Sequence, residues 1–282
     1  MTKMPTKVVV TGGGGRVGRL LRAALDGQGL GGLPVLWHGR RPGPGVDLAW
    51  DIGRQDPPAL PEGAMVLHLA GRVSGTEDEL ADNALSAREV ASWVQGRGWI
   101  LAMSSAAVYA PAPRDLTEQD PPAPPSAYGR AKLAAEKALL QATKGQGLAL
   151  LRLANLAGGD VLFGNIRAGL PITLDPIPGQ AGGPIRSYIG PVTLARALAG
   201  LIGHVRAGRV LPPVLNLAQP GAVAMADVLR AAGANWQFGP PRAGAVPRVT
   251  LDSSLLQSLV PLPPATASTL VAEIAAVTGG PA

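Results

Sequence analysis

The chain of 282 residues contains no cysteine and only three histidines, His38, His68 and His204. Without cysteine it can form no disulfide, no thiolate metal site and no cysteine nucleophile. Three widely spaced histidines are too few for a histidine-built zinc site, so we expect no metal. We expect His68 to be a packed residue at the end of a strand, and not a ligand.

Long hydrophobic segments and runs of basic residues are also absent. Charges interrupt every apolar stretch before it reaches the roughly 18 residues that a membrane-spanning helix needs. No signal-peptide pattern separates Met1 from the apolar run at Val8. We therefore expect a cytoplasmic protein with no membrane partner. The net charge of +6 comes from 25 basic residues, 20 of them arginine. Because they are scattered, we expect no nucleic acid partner. The many arginines are explained either by GC-rich codon usage or by the binding of a phosphorylated small molecule.

Glycine and proline are abundant, at 38 and 28 residues. A composition this rich in both approaches that of low-complexity disorder. The chain is nevertheless 46% hydrophobic and only 16% charged, with a mean hydropathy of +0.20. Such a chain can bury a large core, so disorder is excluded for most of it.

Short apolar runs alternate with helical stretches, which is the pattern of a parallel α/β sheet. The alternation predicts a doubly wound Rossmann-type sheet over residues 1–155, with a small substrate-binding domain over 156–282 whose segments near 186–218 return to the core. The predicted strands are 7–11, 34–38, 65–70, 99–103, 148–153 and 214–217. The predicted helices are 16–25, 83–95, 126–143, 193–205 and 224–232, while 236–247 is predicted to be irregular.

A glycine-rich turn joins the first strand to the first helix. Gly12, Gly15 and Gly18 stand in the spacing G-x-x-G-x-x-G. Such glycines let backbone amides approach a pyrophosphate at a helix N-terminus, although a plain turn is the competing interpretation in so glycine-rich a chain. Arg40 and Arg41 follow the second strand, with no acid before Asp47. Arginines at this position favour NADP over NAD.

Tyr128 and Lys132 lie four residues apart on the third predicted helix and so share one face. A phenol has a pKa near 10, and a nearby ammonium lowers it towards the neutral range. Ser105 follows the fourth main strand, at the sheet edge where ligands bind in such folds. The three side chains are therefore candidates for proton transfer to or from a substrate oxygen.

These motifs together resemble the extended short-chain dehydrogenase/reductases, the NAD(P)-dependent epimerase/dehydratase family. The segments that carry the resemblance are TGGGGRVG from Thr11, DI at Asp51, HLAG from His68, Asn83, SSAAVY from Ser104, YGRAK from Tyr128, LRLANLAG from Leu151, RSYI from Arg186 and NLA from Asn216.

The resemblance implies a role for each matching position. Tyr128 is the implied acid/base, with Lys132 lowering its pKa and Ser105 orienting the substrate oxygen. The implied cofactor-binding residues are Gly12, Gly15, Arg16, Val17, Gly18, Arg40, Arg41, Asp51, Ile52, Leu69, Ala70, Gly71, Asn83, Tyr128 and Lys132. The implied substrate-binding residues are Ser105, Asn155, Arg186 and Arg242.

The chain also departs from the family pattern. Ala106 and Ala107 replace the Asp-Glu pair of sugar-nucleotide 4,6-dehydratases, so that reaction is disfavoured. After Arg186 the family's acids are absent, which puts the local hydrogen bonds in doubt. We expect an NAD(P)-dependent epimerase or reductase acting on a sugar or nucleotide sugar. A non-sugar ketone reductase and a non-catalytic cofactor-binding regulator stay open. The resemblance also implies a homodimer through helices 83–95 and 126–143.

Overall fold

The computed structural model describes residues 4–279, which form fourteen strands and eight α-helices. The strands are β1 (Lys7–Thr11), β2 (Val35–Gly39), β3 (Leu48–Ala49), β4 (Ala64–His68), β5 (Ile100–Ser105), β6 (Leu148–Leu153), β7 (Asn155–Leu156), β8 (Ile172–Leu174), β9 (Ile185–Arg186), β10 (Tyr188–Ile189), β11 (Val214–Leu217), β12 (Val223–Ala224), β13 (Trp236–Phe238) and β14 (Arg248–Val249). The helices are α1 (Arg16–Leu25), α2 (Glu77–Val94), α3 (Ala127–Thr143), α4 (Val161–Arg167), α5 (Pro191–Arg206), α6 (Met225–Ala231), α7 (Ser254–Leu259) and α8 (Ala267–Thr278). None of these helices is long and apolar enough to cross a membrane.

The centre of the molecule is a seven-stranded parallel sheet in the order β11-β6-β5-β4-β1-β2-β3. The predicted doubly wound α/β fold is confirmed. The strand order reverses between β1 and β4, and ligands bind at the carboxyl ends of the strands beside such a switch point. Thr11 pairs with His68 there, so the ends of β1 and β4 lie side by side.

Two apolar layers cover the sheet. On one face α1 and α5 pack over β1, β4, β5 and β6, with Val10, Leu67 and Leu151 fully buried. On the other face α2 and α3 pack over the same strands, around Val9, Val66 and Trp93. Burial on both faces explains why the strands read as almost continuous apolar runs.

Helix α2 begins six residues before its predicted start at Asn83. The side chain of Thr76 accepts a hydrogen bond from the backbone NH of Glu79, and Glu79 accepts one from the backbone NH of Thr76. This reciprocal capping box fixes the start at Glu77. The T-x-x-E pattern from Thr76 to Glu79 is visible in the sequence and would have predicted this helix start.

The C-terminal part contains elements that the sequence did not predict: α4, α7, α8 and several strands of two or three residues. Strand β13 lies in the segment 236–247 that was predicted to be irregular, and it pairs with β8. Strands this short have no readable periodicity. Their own core surrounds Phe163, Tyr188 and Leu229, whereas β11 joins the main sheet beside β6.

A carboxylate from α8 caps helix α5. Helix α5 has Gly190 at its N-cap and therefore no capping side chain of its own. Glu273 accepts hydrogen bonds from the backbone NH of Thr193, at 2.8 Å, and from the Thr193 hydroxyl, at 2.5 Å. A Cβ atom on residue 190 would collide with this carboxylate. The N-terminus of α5 is thus capped from a distant part of the chain.

Replacing Glu273 with alanine is expected to lower the free energy of unfolding by about 2 kcal/mol, because it removes a cap and leaves a buried NH unpaired. Denaturant titration followed by circular dichroism measures the loss. Glu77→Ala is the control, since it breaks only an exposed ion pair with Arg130 and should cost less than about 1 kcal/mol. Equal costs for the two variants would contradict the capping role.

Candidate active site

The glycine-rich turn has the geometry of a phosphate cradle. Gly12 has a φ of +71°, and a Cβ atom there would lie 2.7 Å from the backbone of Ala70. At Gly18 a Cβ would lie 2.6 Å from the carbonyl oxygen of Gly12. Both positions therefore require glycine. Gly15 is the N-cap of α1 and offers no capping side chain, so the first-turn amides at Arg16 and Val17 are available to an anion.

Two histidines hold this turn to its neighbours. His38 Nε2 lies 2.8 Å from the carbonyl oxygen of Trp50, and its Nδ1 accepts a hydrogen bond from the backbone NH of Gly12 at 3.4 Å. His68 Nδ1 lies 2.8 Å from the hydroxyl of Thr11. Burial lowers the pKa of His38 and lowers that of His68 to about 3, so both are neutral at pH 7. This placement agrees with the expectation that His68 is a packed residue.

The adenosine end of the predicted cofactor site lies at the end of β2. Arg40 and Arg41 are both exposed, and Arg40 Nε lies 3.6 Å from the carboxylate of Asp51. Ile52 packs against the core beneath α2. Arg40 and the carboxylate of Asp51 therefore lie together at the end of β2, and Arg41 follows directly in the chain.

The segment after β4 follows the turn closely. Leu69 packs on the core below α1 and α5, and the backbone NH of Ala70 donates to the Thr11 hydroxyl at 3.3 Å. Gly71 lies beside Asn83, because a Cβ on residue 71 would meet the Asn83 amide oxygen. The Asn83 side chain accepts from the backbone NH of Arg72 and donates to the Arg72 carbonyl. Asn83 thus holds the backbone of this loop in place.

Ser105, Tyr128 and Lys132 come together at the carboxyl end of β5. Ser105 ends the strand, and its hydroxyl also accepts from the backbone NH of Ala107. Tyr128 lies in the first turn of α3, which Ser126 caps, and it is hydrogen-bonded to Ser105. The ammonium of Lys132 donates to the carbonyl of Met103 at 2.5 Å.

The pKa of Tyr128 moves in the direction opposite to the one expected from the sequence. Burial raises it above the usual value, and the hydrogen bond with Ser105 offsets only part of the rise. The pKa of Lys132 is lowered to about 8 by burial, against the opposing effect of Glu136. Desolvation therefore dominates at Tyr128, which is protonated at neutral pH, while the Lys132 ammonium donates to the Met103 carbonyl.

Besides Ser105, the three other predicted substrate residues differ in their surroundings. Asn155 begins β7 and pairs in register with Tyr188. Arg186 is part-buried, and its guanidinium donates to the carbonyls of Ile185 and Val246. Arg242 is exposed and forms an ion pair with Asp175 at 3.0 Å. Asn155 thus lies on a strand whose partner, β10, begins two residues after Arg186, while Arg242 lies on a surface loop.

One functional candidate was missed by sequence reasoning: a buried ion pair between Glu136 and Arg152, at 2.9 Å. Glu136 stands four residues after Lys132 on α3, a spacing that puts both on one face. That spacing was the available signal. The partner Arg152 lies on β6, and only the fold brings it to Glu136.

The part of the chain that carries most of these motifs also matches a known protein family. The family model described as "NAD dependent epimerase/dehydratase family" matches residues 8–162, more than half of the chain. The chain belongs to this family. The membership expected from the motifs is confirmed. The matched segment runs from β1, through the glycine-rich turn and the Ser-Tyr-Lys cluster, into α4.

Relatives of this epimerase/dehydratase family member include enzymes of nucleotide sugars. It is 30% identical over 242 residues to dTDP-6-deoxy-L-talose 4-dehydrogenase (NAD(P)(+)) of Kitasatospora kifunensis, covering 76% of this chain and 74% of that one. MoeE5 in complex with UDP-glucose and NAD is 25% identical, with a TM-score of 0.72 over 96% of this chain and 98% of that one. UDP-glucose 4-epimerase from Bifidobacterium longum, in complex with NAD+ and UDP, shares the fold at 18% identity, with a TM-score of 0.76 over 97% and 98%.

Proposed function

We propose that this protein is an NAD(P)-dependent oxidoreductase that interconverts a carbinol and a ketone on a nucleotide sugar. The observation that carries the proposal is the meeting of Ser105, Tyr128 and Lys132 at the carboxyl end of β5, beside the glycine-rich turn. This is the sheet edge where ligands bind in doubly wound folds. Tyr128 supplies the proton transfer that a carbonyl reduction or carbinol oxidation requires.

The glycine-rich turn and the Ser-Tyr-Lys cluster fit a dinucleotide, and each would bind a different part of it. The first-turn amides at Arg16 and Val17 would hold the pyrophosphate in the turn that Gly12, Gly15 and Gly18 shape, and Lys132 would hold the ribose next to the reacting centre. A bound NAD(P) would supply or accept the hydride. Ser105 would hold the substrate oxygen by a hydrogen bond, next to Tyr128.

The protonation state of Tyr128 near neutral pH is the one that the reductive direction requires. A buried phenol with a raised pKa is the acid form, ready to donate. Tyr128 would give its proton to the carbonyl oxygen as the carbon receives hydride, which leaves a carbinol and a phenolate. The Lys132 ammonium favours that phenolate. In the oxidative direction the same atoms move in reverse.

The substrate class is proposed from the relatives and from the polar residues beyond the cluster. The relative at 30% identity is named for a dTDP-deoxysugar and for a dehydrogenase reaction, which favours a reductase or dehydrogenase over an epimerase. Asn155, Arg186 and Arg242 are the proposed contacts to the sugar and its phosphates. Ala106 and Ala107 offer no second acid/base pair, so we do not propose 4,6-dehydration.

The experiment is an incubation with NADPH or NADH and a panel of dTDP- and UDP-linked 4-keto sugars and hexoses. Absorbance at 340 nm follows the cofactor, and mass spectrometry follows the sugar. A reductase consumes one NAD(P)H for each sugar reduced. An epimerase inverts the sugar with no net consumption. Tight cofactor binding without turnover of any panel member would overturn the proposal and favour a regulator.

We propose NADP as the preferred cofactor because Arg40 and Arg41 follow β2. The variant Arg40→Ala/Arg41→Ala should raise the Kd for NADPH about tenfold and that for NADH less than about twofold, since only NADPH carries a 2′-phosphate for the guanidinium groups to bind. Fluorescence titration of both cofactors measures the ratio. Arg167→Ala/Arg209→Ala removes the same charge from exposed sites and is the control. Equal weakening of both cofactors would contradict the assignment.

We also propose a homodimer, from the family resemblance. Helices α2 and α3 pack side by side on one face of the sheet, and Leu140 of α3 is partly exposed there. Sedimentation velocity at micromolar concentration should show about twice the mass of 28.6 kDa. A monomer at that concentration would contradict the proposal.

A further inference from the structure

Side chains from one face of helix α3 contact successive residues at the end of β5. Tyr128, Lys132 and Glu136 are spaced four apart and line one face of the helix. Tyr128 bonds to Ser105, Lys132 donates to the Met103 carbonyl, and Glu136 accepts from the Ser104 hydroxyl at 2.5 Å. Met103, Ser104 and Ser105, three successive residues of β5, thus each contact one residue of this helix face. The first two contacts belong to the proposed active site, whereas the third has no role in it so far.

The third contact is the most buried of the set. Glu136 and Arg152 are 3% and 4% exposed. Arg152 donates from Nε to one carboxylate oxygen at 3.1 Å and from Nη2 to the other at 2.9 Å. Ser104 and Arg152 are direct neighbours across β5 and β6. A buried pair of this kind gives little net stability compared with apolar packing, so its presence calls for another reason.

The charge of Glu136 acts on Lys132. Burial lowers the pKa of the lysine, and Glu136 raises it. Two other charged or titratable groups belong to this cluster: His68 at the end of β4, which is neutral and feels the lysine charge, and Arg152, which is bound to Glu136. Tyr128, on the same helix, is protonated. Glu136 is therefore the one carboxylate among these groups: it is bonded to Arg152, and its charge acts on Lys132.

We propose that Glu136 is a positioning residue for the reaction: it fixes α3 on β5 so that Tyr128 meets Ser105, and its carboxylate keeps the Lys132 ammonium charged in a buried site. The effect of Glu136 on turnover rests on the function proposed above, whereas its effect on the charge of Lys132 is independent of that function.

A purely structural ion pair makes a different prediction. If the pair only joined α3 to β6, loss of either partner would have the same effect: lower stability and no specific change at Lys132. The two roles separate because the charges of Glu136 and Arg152 have opposite signs. Glu136→Gln removes the charge that raises the lysine pKa, whereas Arg152→Gln removes a positive charge bound to that carboxylate. We therefore expect the two variants to move the lysine pKa in opposite directions.

The test measures the pKa of Lys132 by NMR in the two variants. The chain has only five lysines, so ¹³C-lysine labelling gives five side-chain signals, and Lys132→Met identifies the one of interest. Both variants should unfold at lower temperature. The pKa of Lys132 should fall by about one pH unit or more in Glu136→Gln and rise in Arg152→Gln. No change, or shifts of the same sign, would overturn the proposal.

The pH dependence of kcat tests whether the charge of Lys132 matters for turnover. The charged form of Lys132 is the active one, so activity is retained below its pKa and lost as the pH rises through it. This alkaline limb should move to lower pH in Glu136→Gln and to higher pH in Arg152→Gln. A uniform loss at every pH would overturn the catalytic role. If the native protein turns over none of the sugars, the proposed function fails while the NMR titration still decides the charge relation.

Discussion

Replacing Tyr128 with phenylalanine should lower kcat about 10³-fold and leave the Kd for the cofactor within about threefold. The substitution removes a single hydroxyl, the group that would exchange a proton with the substrate oxygen, and general acid/base catalysis contributes about 10² to 10⁴ in rate. The ring stays in place to pack against its neighbours, so α3 and the glycine-rich turn should keep their geometry. Steady-state kinetics and a fluorescence titration of NAD(P)H measure the two quantities.

Tyr109→Phe is the matched control, because Tyr109 follows the same strand and is also buried. Its hydroxyl donates to the Asn216 side chain at 2.9 Å and lies outside the Ser105–Tyr128 pair. Losing that bond should cost about 1 kcal/mol of stability with little change in kcat. If Tyr128→Phe retained its rate, or if Tyr109→Phe lost as much, the assignment of the acid/base would be wrong.

Replacing Gly12 with alanine should weaken cofactor binding about 100-fold or more. The residue has a φ of +71°, which costs an alanine roughly 1–2 kcal/mol. The added methyl group would also lie 2.7 Å from the backbone of Ala70, which cannot move without disturbing the end of β4. The free variant can relieve this strain by opening the turn, so cofactor binding has to restore it. Because 1.4 kcal/mol is a factor of ten in Kd, the two costs together reach this size. Isothermal titration with NADH and NADPH measures it.

Gly14→Ala tests the same turn without the strain. Gly14 has no positive φ, and a Cβ there would meet nothing within 4 Å. Cofactor affinity should therefore stay within about threefold of the native value. Equal losses at Gly12 and Gly14 would show that the turn is not the shaped cradle described above. Thermal unfolding of both variants separates a binding defect from a folding defect.

The first half of the fold could be predicted because each element carries its own signal. Strand β1 and helix α1 lie where the sequence places them, since an apolar run, a glycine turn and an amphipathic stretch follow one another directly. The paired strands β8 and β13 were out of reach. They are three residues each and lie more than sixty residues apart in the chain, so only tertiary contact defines them.

The motifs predict which residues form the candidate site, but they do not predict its electrostatics. In the fold Tyr128 interacts with Ser105, and Lys132 contacts the Met103 carbonyl on the same strand. The direction of the Tyr128 pKa depends on how deeply the phenol is buried and on which group the Lys132 ammonium contacts, and neither is written in the spacing. The Glu136–Arg152 pair was missed for a related reason, because its two residues belong to different elements.

Glu273 shows that a helix cap can come from a distant part of the chain. No acid follows Arg186 in the segment that leads into α5, and a carboxylate from α8 caps the helix. It arrives from α8, eighty residues further along the chain. A helix N-terminus needs a hydrogen-bond acceptor, and the position of that acceptor in the sequence is free.

The most direct test of the account is isotope transfer at the proposed site. NADPH or NADH carrying deuterium at both C4 positions of the nicotinamide is incubated with the nucleotide 4-keto sugar that the native protein reduces, and the product is followed over time by mass spectrometry. The proposed mechanism predicts one deuterium in the sugar, on the carbon that was the ketone, and labelling about 10³-fold slower with Tyr128→Phe. A product without deuterium, or labelling by Tyr128→Phe at the native rate, would contradict it.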